Sequence, residues 1–311
     1  VRIPNPKLSV KPKTHVLRAN HMRKSGTLAL AILSLGGIAA EAAEGTRADL
    51  VNRSVLRVCS DPANIPFSSD DPDKPGFENK IAEIVASELG GIPVEYTWFP
   101  QATGFIRRTL FAKACDIVIG YAQGDEMVLN TNHYYRSAYA IVFKKGSELE
   151  GIDSLADERL KGKRLGIVAG TPPATYINRA GLMGNVKPYH LFVDRRYDSP
   201  METMIKDIRS GDIDAGIMWG PNAGYFSSNG DKDDLMVVPL LKEGRAPPLT
   251  FRITMGVRQT DATWKRELNE IIKKRQGDID QVLLDFNIPI VDENNIQILS
   301  LIHISEPTRL Q

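Results

Sequence analysis

The strongest constraint on the fold is a pattern that occurs twice in the chain, at 105–121 and at 201–219. Each copy begins with apolar residues at helical spacing, passes through one Asp into an uninterrupted apolar run, and ends on an aromatic residue. Uninterrupted apolar strands that alternate with helices are typical of parallel sheets covered on both faces. The repeat therefore predicts an α/β fold made of two lobes of the same kind, each a mainly parallel sheet flanked by helices.

The stretch 56–89 predicts a strand, a turn-rich loop and a helix. A short β-branched run is followed by a cluster of Asp, Pro, Asn and Ser, which are turn-forming residues. From Phe77 to Leu89 the apolar residues recur at helical spacing. Because ligands bind beyond the carboxyl ends of strands in open α/β sheets, we expect this loop to form one lip of a ligand cleft.

Two β-rich runs connect the predicted lobes, one at 137–143 and one at 249–257. Two crossings form a two-strand hinge, which allows the lobes to close on a ligand. After the second crossing, apolar spacing predicts two helices, at 264–272 and 279–286, that pack on the first lobe. The predicted boundaries are 53–143 together with 249–291 for lobe I, and 144–248 for lobe II.

The first 42 residues have the features of a leader rather than of a folded lobe. From Met22, a positive start leads into an apolar run at 28–38 and small residues at 40–42, the order of a secretory signal peptide. The apolar run is too short to span a bilayer. We predict an upstream extension at 1–21, a signal peptide at 22–42, and a periplasmic protein without a membrane span after cleavage.

The charge of the predicted mature chain disfavours nucleic acid as a partner. The whole sequence has a formal net charge of +1, and without its first 42 residues the charge becomes about −5. A mildly acidic surface repels a phosphate backbone. At the other end, 292–311 follows neither the helical nor the strand pattern, and we predict an unstructured or artefactual tail there.

Four short motifs carry a family resemblance: Arg57-Val58-Cys59-Ser60-Asp61-Pro62, Gly76-Phe77-Glu78-Asn79-Lys80-Ile81-Ala82, Tyr96-Thr97-Trp98 and Cys115-Asp116-Ile117-Val118. As a set they resemble type II periplasmic solute-binding proteins, the extracytoplasmic receptors of ABC transporters. More narrowly, they resemble the J accessory proteins of methanol-oxidation operons, which accompany periplasmic quinoprotein alcohol dehydrogenases. The resemblance covers about 55–291.

The resemblance implies a non-catalytic protein that binds, activates or helps mature a quinoprotein methanol dehydrogenase. Pyrroloquinoline quinone (PQQ) and a metal ion then belong to that enzyme, and no cofactor is expected in the chain itself. The first alternative is an ABC-transporter receptor for a small neutral or aromatic solute. The second is an enzyme on the same fold, for which Glu126 and His133 are the candidate acid and base.

The sequence lacks the two charged residues that hold a free amino acid in the amino-acid-binding branch of the resembled family. In that branch an Arg after the first-lobe strand holds the ligand carboxylate, and an Asp beside the second-lobe strand end holds the ammonium group. Here 120–129 contains no Arg, and 217–222 contains no acid. Because a buried charge without a partner is costly, a free amino acid is disfavoured as the ligand.

The predicted cleft residues are aromatic and polar side chains near strand ends: Asp61, Asn64, Phe67, Phe77, Trp98, Tyr121, Tyr134, Tyr135, Thr171, Trp219 and Asn222. Tyr121 and Trp219 occupy corresponding places in the two copies, and we expect them to face each other across the cleft. Aromatic rings suit a flat, weakly charged ligand or an aromatic side chain of a partner protein. Phe67 and Phe77 are expected to pack the loop against the helix.

Two polar residues of this set have specific expected roles. Asp61 follows a predicted strand and is expected to cap a turn or a helix. Thr171 follows Gly170 and stands where the resembled family binds an anionic group with a hydroxyl and a helix N-terminus. Among the metal-ligating types, His133 and His190 have no second ligand at zinc spacing, so no metal site is predicted.

The chain has two cysteines, Cys59 and Cys115. Export favours disulfides. However, if both residues lie in parallel neighbouring strands, a five-residue offset at about 3.3 Å per residue exceeds the limit of about 7 Å between bridged Cα atoms. The expectation is therefore two buried thiols.

Overall fold

The computed structural model describes residues 49–228, 233–244 and 246–298. The predicted signal peptide and upstream extension lie outside the described residues, as does 299–311. The strands are β1 (Leu56–Ser60), β2 (Ala63–Asn64), β3 (Ser68–Ser69), β4 (Val94–Trp98), β5 (Ile117–Ala122), β6 (Leu129–Lys144), β7 (Leu165–Val168), β8 (Val186–Tyr189), β9 (Ala215–Trp219), β10 (Leu235–Pro239), β11 (Thr250–Val257), β12 (Ile290–Val291) and β13 (Gln297–Ile298). The α-helices are α1 (Phe77–Glu88), α2 (Phe105–Arg108), α3 (Pro173–Arg179), α4 (Pro200–Ser210), α5 (Gly220–Ser228) and α6 (Ala262–Asp285).

The main sheet has the strand order β4-β1-β5-β11-β6-β9-β7-β8. At one end β1 pairs in parallel with β4 and β5, and at the other end β7 pairs in parallel with β8 and β9. Antiparallel strands β11 and β6 lie between these two parallel groups. Lobe I contains β1, β4, β5, β11 and the first part of β6, and lobe II contains β7 to β10 and the rest of β6. The predicted two-lobed α/β fold is confirmed.

Strand β6 passes from one lobe into the other. Its partner changes from β11, where Ala138 pairs with Thr250, to β9, where Tyr139 pairs with Trp219. The backbone N–H of Tyr139 donates to Leu249, and its carbonyl accepts from Leu240, both at 2.8 Å. Strand β6 and the segment that leads back to lobe I therefore meet at Tyr139. The lobe boundary between residues 143 and 144 stays a prediction.

The core of lobe I lies between the sheet and helices α1 and α6. Phe77, Ile81 and Val85 lie on one face of α1 and have no exposed surface, and Trp264 and Leu268 of α6 are buried against the same cluster. This is the apolar stripe that the helical spacing predicts. Each such side chain stabilises the fold by roughly 1.5–3 kcal/mol relative to an exposed position.

The Asp residue of each repeat copy has the same structural role. Asp116, just before β5, receives two hydrogen bonds of 2.8 Å from the guanidinium of Arg57. Asp214, just before β9, receives bonds of 3.2 and 2.7 Å from the guanidinium of Arg164. In each lobe a carboxylate before one strand thus binds an Arg at the start of its parallel neighbour. Only Asp116 is fully buried, and Arg258 also binds it.

The helices of the structure differ in detail from the prediction. The first helix of the repeat is α-helical only from Phe105 to Arg108, and Lys113 then adopts a left-handed conformation with φ of 60° before β5. The segment before β7 contains a single 3-10 turn, Glu158–Leu160. The two predicted C-terminal helices are both present, and they lie on either side of a kink in α6 at Arg275, where the backbone angles are non-helical. The first residues of the predicted tail form a turn and β13, which pairs with β12.

The expectation of two free thiols is wrong, because Cys59 and Cys115 form a disulfide. The register partner of Cys59 is Val118, and β5 begins only at Ile117. Cys115 therefore lies in the turn before the strand, where strand spacing does not apply. The turn brings the two Cα atoms to 5.4 Å, which is within bridging distance.

Candidate functional site

A cleft of about 930 Å³ lies between the two lobes. Its lobe I wall consists of the loop after β1, the start of α1 and the end of β5, and its lobe II wall includes the loop before α4 and the start of α5. The strand ends of both lobes open into it, as expected of ligand sites in α/β sheets. Its volume lies in the range of small-molecule sites.

Three aromatic side chains form the floor of the cleft. Trp219 lies 5.3 Å from Tyr139 and 5.7 Å from Phe251 between ring centroids, and all three pairs are edge-to-face. The pairing of Tyr139 with Trp219 across β6 and β9 explains their contact, because directly paired residues point to the same face. Burial raises the pKa of Tyr139 to about 12, so its phenol is neutral at physiological pH.

Six of the predicted site residues line the cleft: Asn64, Phe67, Tyr135, Thr171, Trp219 and Asn222. Asn64 and Phe67 come from the loop after β1, and Tyr135 from β6 in the same lobe. Trp219 and Asn222 come from the end of β9 and the start of α5 in lobe II. The Thr171 hydroxyl donates to the carbonyl of Val168 at 2.7 Å, a bond that fixes the turn after β7.

The other predicted aromatic residues lie elsewhere. Phe77 and Tyr134 are buried in the lobe I core, and Phe67 packs on Phe77 at 5.3 Å, in agreement with the expected loop-to-helix contact. Trp98 stacks on Tyr96 at 4.5 Å between ring centroids. The Tyr121 hydroxyl donates to Asp125 at 2.7 Å.

The structure therefore does not bring Tyr121 and Trp219 together. Strand residues alternate between the two faces of a sheet. Gly120 and Ala122 line the cleft, so Tyr121 between them points to the opposite face, where it packs near the disulfide. Tyr121 and Trp219 thus occupy corresponding positions in the two copies of the repeat, but only the Trp219 side chain faces the cleft.

Asp61 connects the two lobes. Its carboxylate accepts the backbone N–H groups of Ala63 at 3.0 Å and Gln101 at 2.7 Å, which is the expected turn role. It also forms an ion pair of 3.0 Å with Arg195, in the lobe II loop before α4. Sequence reasoning missed this contact, because nothing in the spacing of the two residues indicates it.

Glu78 is a cleft residue that sequence reasoning did not single out. It lies in the first turn of α1 and lines the cleft beside Gly120 of β5. Burial, and secondly the charge of Asp61, raise the pKa of the Glu78 carboxyl to about 8. An acid inside the motif Gly76-Phe77-Glu78, in the first turn of a core helix, was the available signal.

The candidate acid and base of the enzyme alternative do not form a pair in the structure. The His133 ring lies 2.9 Å from the carboxylate of Glu293, and the backbone carbonyl of Glu126 accepts a hydrogen bond from Gln259. Neither residue lines the cleft. Within the described ranges, no group of three or more His, Cys, Asp or Glu side chains is placed to hold a metal ion. No helix of these ranges is both long and apolar enough to cross a bilayer.

The fold and the interlobe cleft define the class of the chain as a type II periplasmic binding protein. The structure of the periplasmic binding protein XoxJ from Methylobacterium extorquens AM1 matches with a TM-score of 0.65 and 42% identity, covering 76% of this chain and 100% of that one. The structure of MxaJ from Methlophaga aminisulfidivorans MPT matches with a TM-score of 0.64 and 24% identity over 76% and 100% of the two chains, which shows the fold.

A sequence relative gives the family. Protein MoxJ from Methylorubrum extorquens (strain AM1) is 30% identical over 268 residues, which are 82% of this chain and 87% of that protein. No protein-family model matches the chain. The chain belongs to the MoxJ/XoxJ family of periplasmic binding proteins, and the predicted resemblance to the J proteins is confirmed.

Proposed function

We propose that the chain is a periplasmic, non-catalytic accessory protein that binds, activates or helps mature a quinoprotein methanol or alcohol dehydrogenase. The observation that carries the proposal is the similarity to MoxJ along most of both chains. PQQ and the catalytic metal then belong to the partner enzyme.

Two exposed aromatic residues support a role in protein binding. Phe192 is 69% exposed and Tyr197 is 84% exposed, and both lie in the lobe II loop before α4, next in sequence to the cleft residues Leu191 and Arg196. The guanidinium of Arg196 lies 5.3 Å from the Tyr197 ring centroid. Exposed aromatic and Arg side chains are typical of the residues that contribute most to protein interfaces.

The proposal is tested by surface plasmon resonance and co-purification with the quinoprotein dehydrogenase of the same organism. We expect binding at micromolar concentration or below, and at least tenfold weaker binding by the double variant Phe192→Ser/Tyr197→Ser, since removal of a central aromatic residue costs about 2 kcal/mol or more. Phe111→Ser is the matched control, because Phe111 is also exposed, at 43%, but lies in lobe I. Absence of binding by the unaltered protein at micromolar concentration contradicts the proposal.

The second candidate function is an ABC-transporter receptor for a small neutral or aromatic solute. The cleft volume and its aromatic floor favour this candidate. A thermal-shift screen of solutes separates the two functions, because a receptor is stabilised by its solute through mass action. A solute that raises the melting temperature, together with no dehydrogenase binding, favours the receptor.

A further inference from the structure

We propose that the cleft contains a binding site for a small organic cation, an ammonium or guanidinium group on an apolar body, with Glu78 as its counter-ion. Phe192 and Tyr197, the residues to which we assign dehydrogenase binding, do not line the cleft. The proposal therefore stands or falls independently of that function.

The position of Glu78 is fixed by the backbone around it. Its N–H donates to the carbonyl of Phe67 at 2.8 Å, which anchors the first turn of α1 to the cleft loop. Across from it, Gly120 leaves the space that the carboxyl occupies: a Cβ at position 120 would lie 1.9 Å from Glu78 Oε1. The absence of a side chain at 120 therefore admits the carboxyl beside β5.

The carboxyl of Glu78 has no hydrogen-bond partner among the side chains and backbone groups of the described residues. Glu78 is half-buried, so a ligand that displaces water from its carboxyl has to satisfy that group in place of the water. Since Glu78 lines the cleft, a ligand in the cleft is able to supply the missing donor. An ammonium or guanidinium group is the donor that also balances a carboxylate charge.

The basic side chains at the cleft do not serve as counter-ions for Glu78. Arg195 is paired with Asp61 at 3.0 Å, and Arg196 is paired with Asp194 at 2.6 Å. Lys74 also lines the cleft, but among the described residues it forms no ion pair with Glu78. No basic side chain of the cleft lining is thus paired with the Glu78 carboxyl.

Further acidic side chains line the same cleft: Asp70, Asp71, Asp198 and Glu202. These four outnumber the three basic residues of the lining, and Glu78 is a fifth acid when it is ionised. A cleft lined mainly by one sign of charge attracts ligands of the opposite sign. The balance of charge thus favours a cation over an anion.

The aromatic floor fits the same ligand. Trp219, Tyr139 and Phe251 surround one end of the cleft, and Tyr135 of the same lining lies next to the core aromatic residues. Ring faces attract cations by about 0.5–2 kcal/mol and also bury apolar carbon. A ligand with a cationic head and an apolar body makes both contacts.

Protonation gives the site a measurable signature. The titratable groups that act on Glu78, or on which it acts, are Asp61 after β1, Tyr96 on β4, and Tyr134 and Tyr135 on β6. With a pKa of about 8, Glu78 is largely neutral in the empty cleft at pH 7. A cation binds the ionised form, so binding releases a proton, and affinity rises with pH by at most about tenfold per unit up to that pKa.

The test is isothermal titration calorimetry with 2-phenylethylammonium and phenylguanidinium, and with neutral 2-phenylethanol as the isosteric comparison. We expect a cation to bind the unaltered protein more tightly than the alcohol does, with proton release at pH 7 in buffers of different ionisation enthalpy. Glu78→Gln should weaken cation binding at least tenfold and leave the binding of the alcohol unchanged. Glu83→Gln is the matched control, because Glu83 lies on the same helix but is exposed and pairs with Lys80.

Three results overturn the proposal. The first is no binding of either cation at millimolar concentration. The second is equal binding of the cation by the Glu78→Gln variant and the unaltered protein. The third is binding of a cation without proton release at pH 7. If the variant does not fold, as judged by circular dichroism, the proton-release measurement on the unaltered protein decides between the outcomes.

Discussion

The carboxylate of Asp61 lies 3.0 Å from the guanidinium of Arg195, and this ion pair joins the walls of the cleft. Asp61 is only 5% exposed and is held in place by the backbone of its own loop. Arg195 belongs to the other lobe and is partly exposed. The contact therefore fixes the distance between a rigid lobe I loop and the loop before α4.

The substitution Arg195→Gln should open the cleft. It removes the charge that reaches Asp61, while the two backbone N–H groups still satisfy the carboxylate, so the loss of stability should be small, about 1 kcal/mol. Small-angle X-ray scattering should show a larger radius of gyration. Arg196→Gln is the matched control, because Arg196 pairs with Asp194 in its own loop. The same expansion in both variants would count against a bridging role.

The two repeated Asp residues should differ in their contribution to stability. Asp116 is 1% exposed and bound by Arg57 and Arg258, so Asp116→Asn removes the buried anion from half-buried Arg57 and leaves buried Arg258 with Asp261 alone, and should cost about 3 kcal/mol. Asp214 pairs with Arg164 near the surface, so Asp214→Asn should cost about 1 kcal/mol or less. Urea unfolding measures both values. Equal losses would show that burial does not distinguish the two pairs.

The disulfide should contribute a large part of the stability. It joins residues 56 positions apart. Closing a loop of that length lowers the entropy of the unfolded chain and so stabilises the folded state by about 4 kcal/mol, less any strain in the folded protein. The double variant Cys59→Ser/Cys115→Ser should therefore lower the free energy of unfolding by roughly 2–4 kcal/mol. Thiol titration of the unfolded, unreduced protein should find no free thiol. Two reactive thiols per chain would contradict the bridge.

Glu78 should make the stability depend on pH. Burial raises its pKa from 4.5 to about 8 in the folded protein, so between these values the native state binds a proton that the unfolded chain does not bind. Its stabilising contribution is complete below pH 4.5 and is lost as pH rises through 8, with a slope of at most about 1.4 kcal/mol per pH unit. The free energy of unfolding of the unaltered protein should therefore fall, relative to that of Glu78→Gln, as pH rises. A difference that stays constant from pH 5 to 8 would rule out the shift.

The sequence predicted those helices and strands whose apolar residues recur at one regular spacing. Helix α1 begins at Phe77, as its spacing predicts, because Phe77, Ile81 and Val85 all point into the same core. The repeat also predicted both lobes, since each copy contains its own Asp before a buried strand. These features depend on neighbours along the chain, and the sequence displays them directly.

Contacts that depend on register or on separate segments were not predictable in the same way. The disulfide depends on a turn at Lys113 that no spacing rule anticipates. The side chain of Tyr121 points away from the cleft because its neighbours in β5 point toward it. An uninterrupted apolar run does not show which of its residues face the cleft. Arg195 meets Asp61 across 134 positions of sequence.

Strand β6 is a single strand of 16 residues that belongs to both lobes. Any rotation of one lobe against the other therefore has its fulcrum where the partner of β6 changes, beside Tyr139. Points on a rotation axis move least, and Trp219 and Phe251 pack against Tyr139 there. A change of lobe angle therefore displaces the aromatic floor less than the mouth of the cleft, which lies farther from the axis.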